Sequence, residues 1–291
     1  MKAAPFAYHR PDTVTDAASL LAEYGDDAKI LAGGQSLVPM LAMRLTHFDN
    51  LIDISRVAEL QGIDLVDDEV VIAAGTSHAL VGMDDEVAES VPLLTAVTPH
   101  IGHFQIRTRG TLGGAVAHAD PAAEYAAVAL ALDATIEAVS VRGDREIAAS
   151  EFFTGLWENA LAPDEILRAV RFPVWSGRCG FAVHEFARRH GDVAIAGATV
   201  AVRLNDDDTV AQCGIGLLGL GSTPERGRAA EVAVTGRPVT DVSAEEIGRL
   251  AVSELTDVPS DLQGSAAYRT RVGAAMVARA WTDATGEARD A

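Results

Sequence analysis

Two glycine-rich segments hold the residue types best suited to chemistry in this chain. They are Leu31-Ala32-Gly33-Gly34-Gln35-Ser36-Leu37 and, after Arg109-Gly110, Thr111-Leu112-Gly113-Gly114-Ala115. Paired glycines let a backbone take positive φ and come close to a ligand. Successive amides in such a turn can converge on an anion, and Ser36 and Thr111 each add a hydroxyl. Either loop also reads simply as a tight structural turn. There is no G-x-G-x-x-G after the first strand and no G-x-x-x-x-G-K-[ST], so neither the Rossmann nor the P-loop mechanism fits.

The second loop runs on into His118-Ala119-Asp120-Pro121-Ala122-Ala123-Glu124-Tyr125. Asp120 before Pro121 reads as a helix N-cap, or as a carboxylate beside the hydroxyls of a ligand. His118 reads as a cofactor contact or as a structural histidine. Arg107 and Arg109 flank the loop and either approach a phosphate or pair with acidic neighbours. His100 and His103 share a spacing that invites a metal, but Gly102 between them favours a loop and no third ligand is near. Cys179 and Cys213 read as inert buried thiols, since an all-cysteine iron–sulfur or zinc site takes four. Trp157, Trp175 and Trp281 read as core or interface residues. No nucleophile-elbow arrangement is visible, so a hydrolase is not expected.

The elements that position these groups fall into two patterns. Strand and helix alternate at first: Thr13 caps a helix that Gly25 ends, a strand follows at 29–32, a helix at 36–44 and a strand at 51–54. Strands are expected at 70–74, 134–141 and 165–172, with a helix over 121–132. A linker at 175–179 separates a second pattern. Strands at 180–188, 194–204 and 210–218 come first, joined at 205–208 by a hairpin turn. Helices near 224–234, 243–253 and 264–284 follow. Strands then helices predict an antiparallel sheet covered on one face.

Composition narrows the class. The 291 residues carry 42 acidic and 23 basic side chains, a net charge of −19. Such a chain is repelled by phosphate backbones and anionic membranes, which argues against nucleic-acid or lipid-surface partners. Lys2 and Lys29 are the only lysines, which leaves 21 of the 23 basic residues as arginine. An acidic, lysine-poor surface fits a salt-rich cytoplasm, where ions screen self-repulsion. No apolar run approaches the roughly 18 residues of a membrane span, and the N-terminus lacks a signal-peptide core. A cytoplasmic protein with reduced thiols is expected.

The ordered series of motifs resembles the FAD-binding medium subunit of molybdenum hydroxylases, the family of the carbon monoxide dehydrogenase medium chain and the xanthine dehydrogenase flavin domain. It runs from PFAYHRP at 5–11 through AGGQSLVPML at 32–41, IGHFQIRTRGTLGG at 101–114, HADPAAEY at 118–125 and EFFTG at 151–155. FARRHGD at 186–192, GLGSTPER at 219–226 and SAAYR at 265–269 complete it. The resemblance implies an α+β protein. A two-part FAD-binding domain of the vanillyl-alcohol oxidase type occupies 1–175, with subdomains 1–57 and 58–175. A small α+β domain with a three-stranded antiparallel sheet occupies 176–291.

By the same resemblance, residues 32–36 and 111–115 correspond to the two FAD diphosphate loops, edged by Leu31 and Leu37. Asp120 and Glu124 correspond to carboxylates near the ribityl and adenosine portions, and Ile101 and Leu167 to apolar lining. Asp192 and Val193 lie near the ring, where many relatives place an aromatic residue after Gly-Asp. Many also have lysine near Glu185, which reads here as a solvated carboxylate. The implied partners are a large molybdopterin-binding subunit and a small [2Fe–2S] subunit, in a dimer of heterotrimers. Electrons would pass through FAD to NAD, a quinone or oxygen. The weighed alternatives are a self-sufficient FAD oxidoreductase and a flavin-free scaffold, the latter disfavoured by the intact glycine loops.

Overall fold

The computed structural model describes residues 2–291. The chain opens with β1 (Ala7–His9), α1 (Val14–Tyr24), β2 (Ala28–Leu31), α2 (Leu37–Met43) and β3 (Asn50–Asp53). The three strands form a parallel sheet in the order β1-β3-β2, with Tyr8 opposite Leu51 and Ile30 opposite Ile52. Thr13 caps α1 by accepting from the Asp16 amide at 3.1 Å, and Gly25 ends the helix at φ 53°. Positive φ is available to glycine at no steric cost. Val14, Ala17 and Leu21 of α1 pack with Ile52, Ile54 and Leu60 in the first core.

Next come β4 (Ile63–Val66) and β5 (Glu69–Ala73), then the short helices α3 (His78–Val81), α4 (Asp85–Ser90), α5 (Pro92–Val97) and α6 (Phe104–Arg107). The longer α7 (Leu112–His118) and α8 (Glu124–Ala131) follow. The hairpin β6 (Thr135–Ser140) and β7 (Gly143–Ala148) leads to α9 (Ala149–Phe152), the small strands β8 (Phe153–Gly155) and β9 (Glu158–Asn159), and β10 (Ile166–Pro173). A five-stranded antiparallel sheet, β4-β5-β10-β6-β7, underlies the second core. Its register shifts at Arg168, whose carbonyl turns aside to accept from the Ala74 amide at 2.8 Å.

The remaining strands are β11 (Arg178–Phe186), β12 (Ala196–Leu204), β13 (Val210–Leu218) and β14 (Glu225–Arg226). The closing helices are α10 (Arg228–Val234), α11 (Ala244–Ala251) and α12 (Ala266–Asp290). The antiparallel sheet has four strands, not the expected three, because Arg226 and Glu225 pair with Gly216 and Leu217. Both of its faces are covered, not one. Ala182, Val200 and Val202 meet α10–α12 in a third core, while Phe181, Val183 and Ala201 turn to the second core. Hence β12 is buried along almost its whole length, as a strand with two covered faces should be.

The two halves join backbone to backbone. A Cβ on Gly214 would overlap the Ala131 carbonyl of α8, and one on Gly216 would overlap the Ala127 carbonyl. Arg226 then closes the seam: its guanidinium donates to the Leu130 carbonyl at 2.7 Å, to the Asp133 carboxylate and to Glu231 at 2.8 Å. Replacing Gly216 with alanine is expected to destabilise the protein by roughly 1–3 kcal/mol, the usual cost of overpacking. Gly286 in α12 has nothing within 4 Å of an added Cβ, so Gly286→Ala is expected to stabilise by about 0.5–1 kcal/mol. Thermal unfolding checks both; equal midpoints for the two variants would contradict the packing.

Candidate functional site

Leu31 ends β2, and its carbonyl accepts from the Ile54 amide at 3.0 Å, which pins the start of the first glycine loop to the parallel sheet. Gly34 takes φ 73° between the Val38 and Leu31 side chains. A Cβ on Gly33 would overlap the Arg109 carbonyl and lie 2.7 Å from Gly110 Cα, so the two loops touch through bare backbone. Gln35 folds back, its Nε2 donating to the Gly33 carbonyl at 3.2 Å. Ser36 precedes α2 without capping it through its hydroxyl. The amides from Gly33 to Leu37 find no acceptor among the described residues. A run of unspent donors on a loop of this kind can converge on an anion.

The second loop is built differently. Thr111 Oγ1 caps α7 by accepting from Gly114 N at 3.1 Å. The amides of Leu112, Gly113 and Ala115 go to the carbonyls of Thr76, Ala74 and Thr111, each at 3.0 Å. Gly113 is a glycine because a Cβ would strike Ala74, and a Cβ on Gly114 would lie 2.7 Å from Thr111 Oγ1 and 3.5 Å from Ala32 Cβ. So this loop supplies close approach and the Thr111 hydroxyl proton more than free amides. Beneath it lies buried His78, edge-on to Tyr125 at 5.2 Å, with no partner for either ring nitrogen among the described residues. Burial holds that imidazole neutral, with its pKa lowered to about 4.

Past α7, His118 stacks on Trp157 with rings 6.3 Å apart and 7° from parallel, and burial lowers its pKa. Asp120 is not a helix N-cap. It closes an Asx turn on the Ala122 amide at 2.9 Å, and α8 starts only at Glu124. Its second oxygen accepts from Trp157 Nε1 at 3.4 Å. Glu124 is half-buried, and burial together with the charge of Glu185 pushes its carboxyl up to about 8.

Ile101 packs at the edge of the second core, whereas Leu167 is buried within that core alongside Leu112 and Val116. The C-terminal half reaches in with the loop after β11. Gly191, at φ 82°, seats against the His103 ring and the Gly102 carbonyl. Asp192 pairs with Arg189 at 3.3 Å, and Val193 is 61% exposed. Gly219 donates its amide to the Pro121 carbonyl at 2.9 Å. Buried Arg269 of the SAAYR run holds the Ile195 carbonyl at 2.6 Å and both oxygens of Asp261.

Several expectations need correcting. Glu185 is not solvated: its side chain is 5% exposed, and burial pushes it up to about 7. Period two along β11 places it on the face of Phe181 and Val183, which carries a signal that the sequence pattern held. Arg107 pairs with no acid among the described residues; it donates to the carbonyls of Ile101 and Gly102 at 3.1 and 2.9 Å. Cys179 is only half-buried, while Cys213 is buried. Trp157 does not lie in the core; it is exposed, standing over His118. Among the described residues no group of three His, Cys, Asp or Glu side chains is placed to hold a metal, and no helix is long and apolar enough to cross a membrane.

Comparison with known proteins bears directly on this junction. Residues 4–175 match the model of the FAD binding domain in molybdopterin dehydrogenase, and residues 181–284 that of the CO dehydrogenase flavoprotein C-terminal domain. The chain is 40% identical to the 6-hydroxypseudooxynicotine dehydrogenase complex subunit alpha of Paenarthrobacter nicotinovorans, over 99% of this chain and 97% of that one. It is 34% identical to the carbon monoxide dehydrogenase medium chain of Afipia carboxidovorans, over 98% of each. Its fold superposes on a chain of the carbon monoxide dehydrogenase of Hydrogenophaga pseudoflava with a TM-score of 0.95 at 34% identity, covering 99% of both. The chain therefore belongs to the FAD-binding medium subunits of the molybdopterin dehydrogenases, a family of oxidoreductase components.

Proposed function

We propose that this chain seats FAD at the junction of its two halves and serves as the electron-exit subunit of a molybdenum hydroxylase. In this reading 1–175 is the FAD-binding part and 176–291 the C-terminal domain. Electrons arrive from a small [2Fe–2S] subunit, after a large molybdopterin-bearing subunit has oxidised the substrate, and leave to NAD, a quinone or oxygen. The observation that carries the reading is the run of unspent amides from Gly33 to Leu37 beside the Thr111–Gly114 cap. That arrangement suits the diphosphate of a dinucleotide in a chain that has no lysine cluster to offer it.

FAD, when bound, supplies a ring that takes up an electron pair and releases its electrons to an acceptor. The chain's own residues do the rest. Amides 33–37 and the Ser36 hydroxyl donate to diphosphate oxygens, and Thr111 adds its hydroxyl proton. Asp120, fixed by Ala122 and Trp157, accepts from ligand hydroxyls. Glu124, protonated near neutrality, meets the anion without a second negative charge. Ile101 and Val193 offer apolar surface, and Asp192 holds its loop through Arg189.

An absorbance scan of the purified chain, supplemented with FAD, tests the reading. Flavin bands that survive desalting and release FAD on denaturation are expected; a folded, colourless protein, alone and in the co-expressed assembly, would sink it. Gly33→Ala forces the loops apart at Arg109, so its FAD occupancy is expected to fall at least about tenfold, the effect of roughly 1.4 kcal/mol. Gly286→Ala is the matched control, with occupancy retained. The acidic surface also predicts a thermal midpoint that rises with potassium chloride; a midpoint indifferent to salt would argue against a salt-rich cytoplasm.

A further inference from the structure

Glu185 stands on β11 with its carboxyl in the seam between the halves. Its Oε2 finds no donor among the described residues. His100 Nδ1 lies 3.6 Å from that oxygen, too far for a hydrogen bond. The surrounding charges come from every side of the seam. The turn after α5 brings His100, and the loop after β11 brings His190. On the opposite face of β11, His184 is occupied by Asp283 at 2.7 Å. The start of α8 brings Glu124, with Asp120 just before it, and Arg107 is committed to the backbone carbonyls of Ile101 and Gly102. Thus the buried Glu185 carboxyl adds its field at the half-buried Glu124, and among the described residues no cation is bonded to either.

We propose that Glu185 and Glu124 together form a proton site coupled to FAD binding, which takes a proton from solution as the anionic diphosphate is seated. This rests on the FAD reading above. An O–H bond forms on a carboxylate oxygen as one breaks in hydronium or a buffer acid, which is left as water or the conjugate base; no electron moves. The physical cause is twofold. Burial already raises both carboxyls into the neutral range, and burial lowers the pKa of His100, so the imidazole does not offset them. A bound anion adds negative potential nearby and raises both carboxyls further.

The sign follows. Below about pH 6 the pair is protonated with and without FAD, so affinity is at its highest and flat. As pH rises past the free-state values of about 7 and about 8, binding must draw in protons and affinity falls. It levels off only above the bound-state values.

The full chain, stripped of flavin, is titrated with FAD between about pH 6 and about pH 9, following flavin fluorescence. A parallel titration in unbuffered solution with an indicator dye counts protons. The expected result is a Kd that rises by about three- to tenfold across the range, with net proton uptake on binding near pH 7.5. Glu185→Gln is expected to flatten the profile and reduce the uptake; Glu124→Gln, the second variant, is expected to reduce the uptake as well. A pH-independent Kd with no uptake in the wild type overturns the proposal and leaves the FAD reading standing. Undiminished uptake in both variants also overturns it, since the proton then sits elsewhere. No FAD binding at any pH overturns both.

Discussion

Backbone carbonyls of α8 rest directly on the glycines of β13, and the junction takes its geometry from that contact. With no side chain at Gly214 or Gly216, the helix lies as close to the sheet as van der Waals radii allow. This fixes α8, and with it Glu124 at its start, against β12 and β13. Arg226 ties off the far end of the helix, and the Gly219 amide holds Pro121 at the near end. The first glycine loop repeats the device at smaller scale, where Gly33 lies on the Arg109 carbonyl. Close-packed interiors transmit such constraints because there is little free volume to absorb a shift.

Charge is arranged to suit the same junction. Most carboxylates of this acidic chain are outside, and several of those on the five-stranded sheet are paired with arginines, as Arg171 is with Glu69 and Glu146. Exposed pairs of this sort contribute little each. At the junction Arg107 serves backbone carbonyls, Arg226 divides its donors between the Leu130 carbonyl and the carboxylates of Asp133 and Glu231, and burial raises the pKa of Glu124 and Glu185. An anion can therefore be held by dipoles and hydroxyls in a protein whose overall field opposes it.

Much of this was legible from local chemistry. The cap at Thr13, the stop at Gly25, both glycine loops and the strands of the C-terminal half are written in residue types that act on their immediate neighbours. The short helices from His78 to Arg107 were not, because each is only one to two turns long and held by tertiary contacts, too brief for a 3.6-residue period to emerge. β14 was hidden for a similar reason, being two residues long. Asp120 followed by proline fits an N-cap and an Asx turn equally well on local grounds, and only the position of Pro121 against Gly219 decides. Glu185 shows a different limit. Alternation along β11 gives its face, but whether that face meets water depends on the helices of the other half, far off in sequence.

The position of α8 has a consequence for biosynthesis. From Tyr125 to Ala131 every residue is buried, with one side of the helix on the second core and the other on β12 and β13. A nascent chain makes this helix long before it makes the strands that cover its outer side. At ribosomal rates of about 5–20 residues per second, several seconds pass before Leu218 has been added. During that interval an alanine-rich helix, with Glu124 as its only carboxyl side chain, is only half covered. The small side chains that permit such close docking also expose little apolar area while the helix waits, which limits what a chaperone or a neighbouring chain can grip.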